Sequence, residues 1–180
     1  MNFCSQCGAA VVLKTPDGDH RPRFVCTNCG MIHYQNPRLV LGCVPEWEGR
    51  ILLCRRAIEP RLGFWTVPAG FMENGETLQH AAARECYEEA LATVEIGSLL
   101  ALVSVTHAAQ VHVMFRSKLL RPEYAPGPES LEVALYDEAD IPWDHLAFPS
   151  GEFTLRRYFA DRALGREDHH FAELNRPLKS

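Results

Sequence analysis

The segment from Gly70 to Glu89 constrains this chain more than any other. It places Glu85, Glu88 and Glu89 within five residues of one another. Thr77 is a good N-cap type and alanines fill the positions after it, so a helix is expected from Thr77 to Leu91. In a helix, residues three and four apart share a face, which clusters the three glutamates. Ala83, Cys86, Tyr87 and Ala90 are then expected on the opposite, apolar side, packed on a sheet. Three carboxylates on one face repel each other, and Arg84 is the only nearby cation. A hard divalent ion, which prefers oxygen ligands, would relieve that repulsion. A solvated acidic face is the plain alternative, and the helix alone does not separate the two.

The residues before the helix do. The order is glycine, five residues, glutamate, seven residues, Arg-Glu, two residues, Glu-Glu. Gly70, Glu76, Arg84, Glu85, Glu88 and Glu89 supply it without a gap. This resembles the signature of the Nudix family. One departure falls where the family usually has glycine, at Leu91, and it touches no ligand position. The resemblance implies an α/β fold, a Nudix α/β/α sandwich with a mixed sheet, and hydrolysis of a phosphoanhydride with Mg²⁺ (or Mn²⁺). It implies that Glu85 and Glu89 are the main metal ligands, with Glu88 and the backbone carbonyl of Ala69 sharing the site. Arg84 would orient Glu85, and Glu76 would brace the Gly70 loop. Divalent ions offset the charge that builds on a pyrophosphate and acidify a bound water. A carboxylate then takes the proton. The base is left open among Glu85, Glu132, which begins a strand, and Glu129, which lies on a loop.

Cys4 and Cys7 form one C-x2-C pair, and Cys26 and Cys29 form a second after 18 intervening residues. Gly8 and Gly30 follow the pairs and suit tight turns. Matched pairs of this kind bind a structural zinc through four thiolates, which leaves no open position for catalysis. Residues 1–36 are too few to bury a core alone and need such a staple. The seven cysteines leave Cys43, Cys54 and Cys86 in apolar surroundings, where they read as small buried hydrophobes. This usage fits a reducing, cytoplasmic compartment.

The expected organisation is a zinc ribbon over 1–36, a catalytic domain over 37–165 and a polar tail over 166–180. Strands are expected at 39–44 and 50–55 around a Glu48-Gly49 turn, then at 64–67, 96–105, 111–120 and 131–136. The strand at 96–105 is interrupted by Gly97-Ser98, and Val67-Pro68-Ala69-Gly70 reads as a turn. A last helix runs from near Gly151 to Leu164. No apolar run approaches the roughly 20 residues of a bilayer span, and the N-terminus lacks the pattern of a secretory signal. The formal net charge of -5 argues against nucleic acid as a partner, since that binding relies on Lys and Arg.

A zinc ribbon before such a domain also resembles the branch that hydrolyses NADH. The Pro- and Trp-rich motif of that branch is missing after the acidic helix. The His33–Pro37 junction and the strand after it look more like the branch acting on ADP-ribose and FAD, which implies a small nucleotide substrate and release of AMP. Phe64, Trp65 and Tyr124 are candidates to stack on its rings. A homodimer and a catalytically silent nucleotide sensor both remain open by the same resemblance.

Overall fold

The computed structural model describes residues 1–175, which fall into two compact units, Met1–Asn36 and Pro37 onward. The last part of the expected tail, 176–180, lies outside the described residues. No helix among them is long and apolar enough to cross a membrane.

The first unit holds three short antiparallel strands, β1 (Val11–Lys14), β2 (Arg23–Cys26) and β3 (Ile32–His33), in the order β1-β2-β3. Its cysteine knuckles are built alike. Gly8 N–H donates to the Cys4 carbonyl and Gly30 N–H to the Cys26 carbonyl. Both glycines have φ in the left-handed region, at 74° and 72°.

The second unit is organised around one mixed sheet. Its strands are β4 (Arg38–Trp47), β5 (Arg50–Arg56), β6 (Trp65–Thr66), β7 (Ala69–Phe71), β8 (Val94–Val105), β9 (Gln110–Leu119), β10 (Ser130–Tyr136) and β11 (His170–Leu174). Six of them run in the order β10-β5-β4-β9-β8-β11, with β6 paired to β5 and β7 to β4. Two helices, α1 (Leu78–Ala90) and α2 (Pro149–Leu164), cover its faces. Because side chains alternate along a strand, neighbours go to opposite faces. Leu41, Cys43, Leu52 and Cys54 pack with Ala81, Ala82, Cys86 and Ala90 of α1. Val44, Ile51 and Leu53 pack instead with Leu155, Tyr158 and Phe159 of α2. This gives the expected α/β/α sandwich, and it explains why the middle of β4 reads as a continuous apolar run. Glu48 and Gly49 both take positive φ, as a two-residue hairpin requires.

Four local expectations are corrected. The segment read as a turn at Ala69-Gly70 is the strand β7, antiparallel to β4 with Gly42 opposite Ala69. Gly42 permits it, because a Cβ there would press on the Pro68 carbonyl oxygen and on Ala69 at 2.6 and 2.5 Å. The interruption at Gly97-Ser98 is absorbed within β8, whose register against β9 shifts between Ile96 and Ala101. Tyr87 is not on the packed face of α1. It is exposed, whereas Glu85 and Glu89 are buried beside Ala81, Ala82, Cys86 and Ala90. Finally, the segment expected as a polar tail contains β11, parallel to β8. Buried Arg116 ties it down, forming an ion pair with buried Asp161 and donating to the Asp168 carbonyl at 3.0 Å. Asp161 also pairs with His170 Nε2 at 3.0 Å.

Candidate active site

The acidic helix starts as expected. The Thr77 hydroxyl accepts from the His80 N–H at 3.2 Å and caps α1. One turn further on, Arg84 is a hub. Its Nε and Nη2 reach the two Glu76 carboxylate oxygens at 2.6 and 2.9 Å. Its Nη1 donates to Glu85 Oε1 at 2.7 Å and Glu88 Oε2 at 2.9 Å. Nη2 also donates to the Phe71 carbonyl at 3.0 Å, which fixes β7 to the helix. The paired fork is the strong form of a guanidinium–carboxylate contact. Arg84 holds the Glu76 carboxyl down at about 2, and the carboxylates in turn raise the guanidinium's own affinity for its proton. Glu76 Oε2 also accepts from the Glu73 N–H at 2.9 Å, so it braces the loop between β7 and α1.

Glu85 and Glu89 are the buried carboxylates of the site, 8% and 7% exposed. Burial pushes both upward, and for Glu89 the neighbouring Glu85 charge adds to it, bringing it to about 8. Glu89 Oε2 accepts from the Ala69 N–H at 3.4 Å, which places β7 directly against it. The Glu85 carboxylate lies over Gly70 so closely that any Cβ there would overlap it. The glycine of the motif is therefore required by contact. Glu88 is more exposed than Glu85 and Glu89 and turned to Arg84. The three glutamates are not gathered as tightly as the four cysteine sulfurs. Buried carboxylates with too little cationic charge around them suit a hard ion such as Mg²⁺ or Mn²⁺.

Glu85, Glu88, Glu89, Arg84, Ala69 and Gly70 line a cleft of about 1490 Å³. Glu76 sits behind it. The base candidates separate. Glu132 is not in the cleft: it is exposed, lies across from Arg55 in the β10–β5 register and pairs with it at 3.6 Å. An irregularity between Ser130 and Glu132 leaves Leu131 and Glu132 both exposed. Glu129 does line the cleft, and its charge acts on both Glu85 and Glu89. Its loop is docked on the end of α1, where Ala125 and Gly127 N–H groups donate to the Ala90 and Glu89 carbonyls at 2.9 and 3.0 Å. A Cβ on Gly127 would overlap the Glu88 carbonyl oxygen. The glycine two residues before Glu129 was the available signal that this loop touches the helix.

Sequence reasoning passed over Arg56, a second arginine of the cleft. Its Nε donates to the Pro60 carbonyl at 2.8 Å, its guanidinium lies 5.1 Å from the Phe148 ring, and its charge favours ionised Glu89. Of the aromatic stacking candidates, Phe64, Trp65 and Tyr124 do not line the cleft, and Trp65 packs edge-on against Tyr136 within the core. Phe71 and Phe148 line it instead.

In the first unit, the donor atoms of Cys4, Cys7, Cys26 and Cys29 all lie within 4.8 Å of one another. Sulfur–sulfur distances of 3.5, 3.5 and 3.8 Å are near the ~3.8 Å that a zinc tetrahedron with ~2.3 Å bonds requires. Backbone N–H groups of Gln6, Asn28 and Cys29 point at the sulfurs at 3.4 Å. His33 Nε2 lies 3.3 Å from Cys4 Sγ. The four thiolates fit a structural zinc, while Cys43, Cys54 and Cys86 are buried in the other unit.

Comparison with known proteins agrees with this geometry. A profile described as NUDIX domain matches residues 36–156, and one described as Nudix N-terminal, a zinc ribbon, matches residues 2–35. A NAD-capped RNA hydrolase NudC from Photobacterium profundum is 30% identical over 91% of this chain, which spans 58% of that relative's length. An ADP-ribose pyrophosphatase from Methanocaldococcus jannaschii is 28% identical over 62% of this chain and 70% of its own. Among solved structures, a NUDIX hydrolase from Nitrosomonas europaea superposes with a TM-score of 0.95 at 52% identity, covering 98% of this chain and 100% of that one.

Proposed function

The chain belongs to the Nudix family, and from that premise we propose that it is a metal-dependent pyrophosphohydrolase acting on a nucleoside diphosphate linked to a second moiety. ADP-ribose or FAD is the substrate of this reading, and AMP is a product. The observation that carries it is the pair of buried carboxylates, Glu85 and Glu89, held by Arg84 and Ala69 at the wall of a cleft large enough for a dinucleotide. The name of the Methanocaldococcus relative supports the choice of ADP-ribose.

Glu85, Glu89, Glu88 and the Ala69 carbonyl would hold Mg²⁺ or Mn²⁺, and the chemistry such an ion would supply there is neutralisation of the diphosphate and acidification of water. Arg84 and Glu76 are positioning residues: the first aims Glu85, and the second fixes Arg84 and the loop. Arg56 supplies positive charge to the diphosphate from across the cleft. Glu129 is the base of choice, since it lines the cleft and Glu132 does not. It takes a proton from the attacking water as the water oxygen bonds to phosphorus. The phosphoanhydride bond breaks, and ADP-ribose yields AMP and ribose 5-phosphate. The thiol-rich composition supports a reducing, cytoplasmic setting, and a homodimer is consistent with the resemblance.

The Photobacterium relative favours a second reading, cleavage of NADH or of an NAD cap on RNA. The net charge of -5 weighs against the RNA substrate. A panel of ADP-ribose, FAD, NADH, NAD-capped RNA and nucleoside triphosphates with Mg²⁺ decides between them. AMP is expected from ADP-ribose or FAD, with kcat reduced at least about 10³-fold in Glu89→Gln. No turnover of any member by metal-loaded protein overturns the enzymatic reading.

A further inference from the structure

The floor of the cleft extends well beyond the glutamates. Three rows of paired residues cross the sheet on one face. The first joins Ala69, Gly42, Met114, Ala101 and His170. The second joins Phe71, Val40, His112, Val103 and Ala172, and the third joins Arg38, Gln110, Val105 and Leu174. Successive rows are two residues apart on each strand, so their side chains share a face. Ala101 and Val103 are buried in the core, but Met114, His112, Gln110 and Val105 of these rows line the cleft between Ala69, beside Glu89, and Leu174 on β11. The Thr106–Ala108 turn closes its end, and two contacts bind that turn to β11. The Thr106 hydroxyl donates to Asn175 Oδ1 at 2.7 Å, and His107 Nδ1 donates to the Leu174 carbonyl at 3.3 Å. β11 lies beyond residue 156, where the match to the NUDIX domain ends.

We propose that β11 and the Thr106–Ala108 turn form a slot for the heterocyclic base of a nucleotide, and that this wall sets the chain's substrate specificity. The proposal rests on the pyrophosphohydrolase reading for the position of the diphosphate. Val105, Ala108 and Leu174 give the slot an apolar lining, which suits a planar ring. Gln110, His112 and Asn175 border it with groups able to hydrogen-bond the ring's edge. His112 contacts Gln110 Oε1 at 2.9 Å, and burial lowers its pKa to about 4. At neutral pH it is an uncharged imidazole, suited to a neutral base. The cleft's volume also fits: at about 1490 Å³ it exceeds the roughly 300–1,000 Å³ of ordinary ligand pockets.

Two variants test the slot, Leu174→Trp, which fills it, and Asn175→Ala, which trims an exposed side chain and frees the Thr106 hydroxyl. For both, KM for ADP-ribose is expected to rise, about tenfold or more in Leu174→Trp, with kcat within threefold of wild type. Binding of AMP and of ribose 5-phosphate, measured by calorimetry, gives a readout independent of turnover. Wild type is expected to bind AMP at least tenfold more tightly, and Leu174→Trp to lose that preference. Equal binding of the two ligands by wild type overturns the slot, whatever the enzyme hydrolyses. So does wild-type affinity for AMP in both variants, or a loss confined to kcat. A preference for AMP that Leu174→Trp abolishes, in a protein that hydrolyses nothing, sustains the slot while the pyrophosphohydrolase reading falls.

Discussion

Arg84 and Glu76 show how few residues arrange this site. The guanidinium contacts three carboxylates and one carbonyl, so its removal releases Glu76, Glu85, Glu88 and the Phe71 strand together. Glu76 never enters the cleft, yet it anchors Arg84. Its carboxyl is lowered from 4.5 to about 2, which gives a directional pH prediction. The folded state binds fewer protons than the unfolded one in this window, so the contribution to stability is full above pH 4.5. It disappears as pH falls through 2. Glu76→Gln is therefore expected to flatten the acid limb of stability between pH 4.5 and 2, as read from denaturant midpoints at each pH. An unchanged limb would mean that Glu76 is not ionised against Arg84 in solution. The carboxylates of the cleft were legible at this scale because the motif's spacing is rigid. What the spacing could not reveal was depth. Helix periodicity put Tyr87 on the packed side opposite the glutamates, whereas the structure exposes Tyr87 and buries Glu85 and Glu89.

At the level of elements, α1 ends on a compromise. Leu91 occupies the left-handed region at φ 47°, donating to the Tyr87 carbonyl at 2.8 Å. A glycine adopts this conformation without the Cβ penalty. Leu91 is 44% exposed, so only part of its side chain is buried and lost on replacing it. Leu91→Gly is expected to raise unfolding stability by about 1 kcal/mol, measured by urea denaturation. The helix, the hairpin at Glu48-Gly49 and the central strands were legible because caps, turn residues and apolar runs are local signals. β7 was not, because only three residues pair and their pairing depends on the missing side chain of Gly42. The displacement of Glu132 from the cleft has a similar cause: an irregular register in β10 alters which way its side chains face, and no composition marks it.

At the level of the molecule, the two units rest on different kinds of stabilisation. The first lacks a core of its own size and depends on its thiolates. Metal analysis is expected to find about one zinc per chain. Cys4→Ser should lose it, together with amide-exchange protection within residues 1–36. In the second unit, Arg116 and Asp161 are both buried and satisfy each other. Asp161→Asn strands the arginine charge and is expected to cost roughly 3–5 kcal/mol, measured by calorimetric or denaturant unfolding. A loss below about 1 kcal/mol would show that water reaches the pair. The same pair governs the C-terminal strand, which sequence reading assigned to a tail because its signal is not local. Ala101 pairs with His170, 170 - 101 = 69 positions along the chain. Closing so long a loop forfeits chain entropy before any parallel pairing rewards it, so such contacts form late in folding. Until they do, β8 is a bare sheet edge, open to pairing with another chain. The wall proposed to choose the substrate is thus also the strand that, once docked, closes the sheet's edge to pairing with another chain.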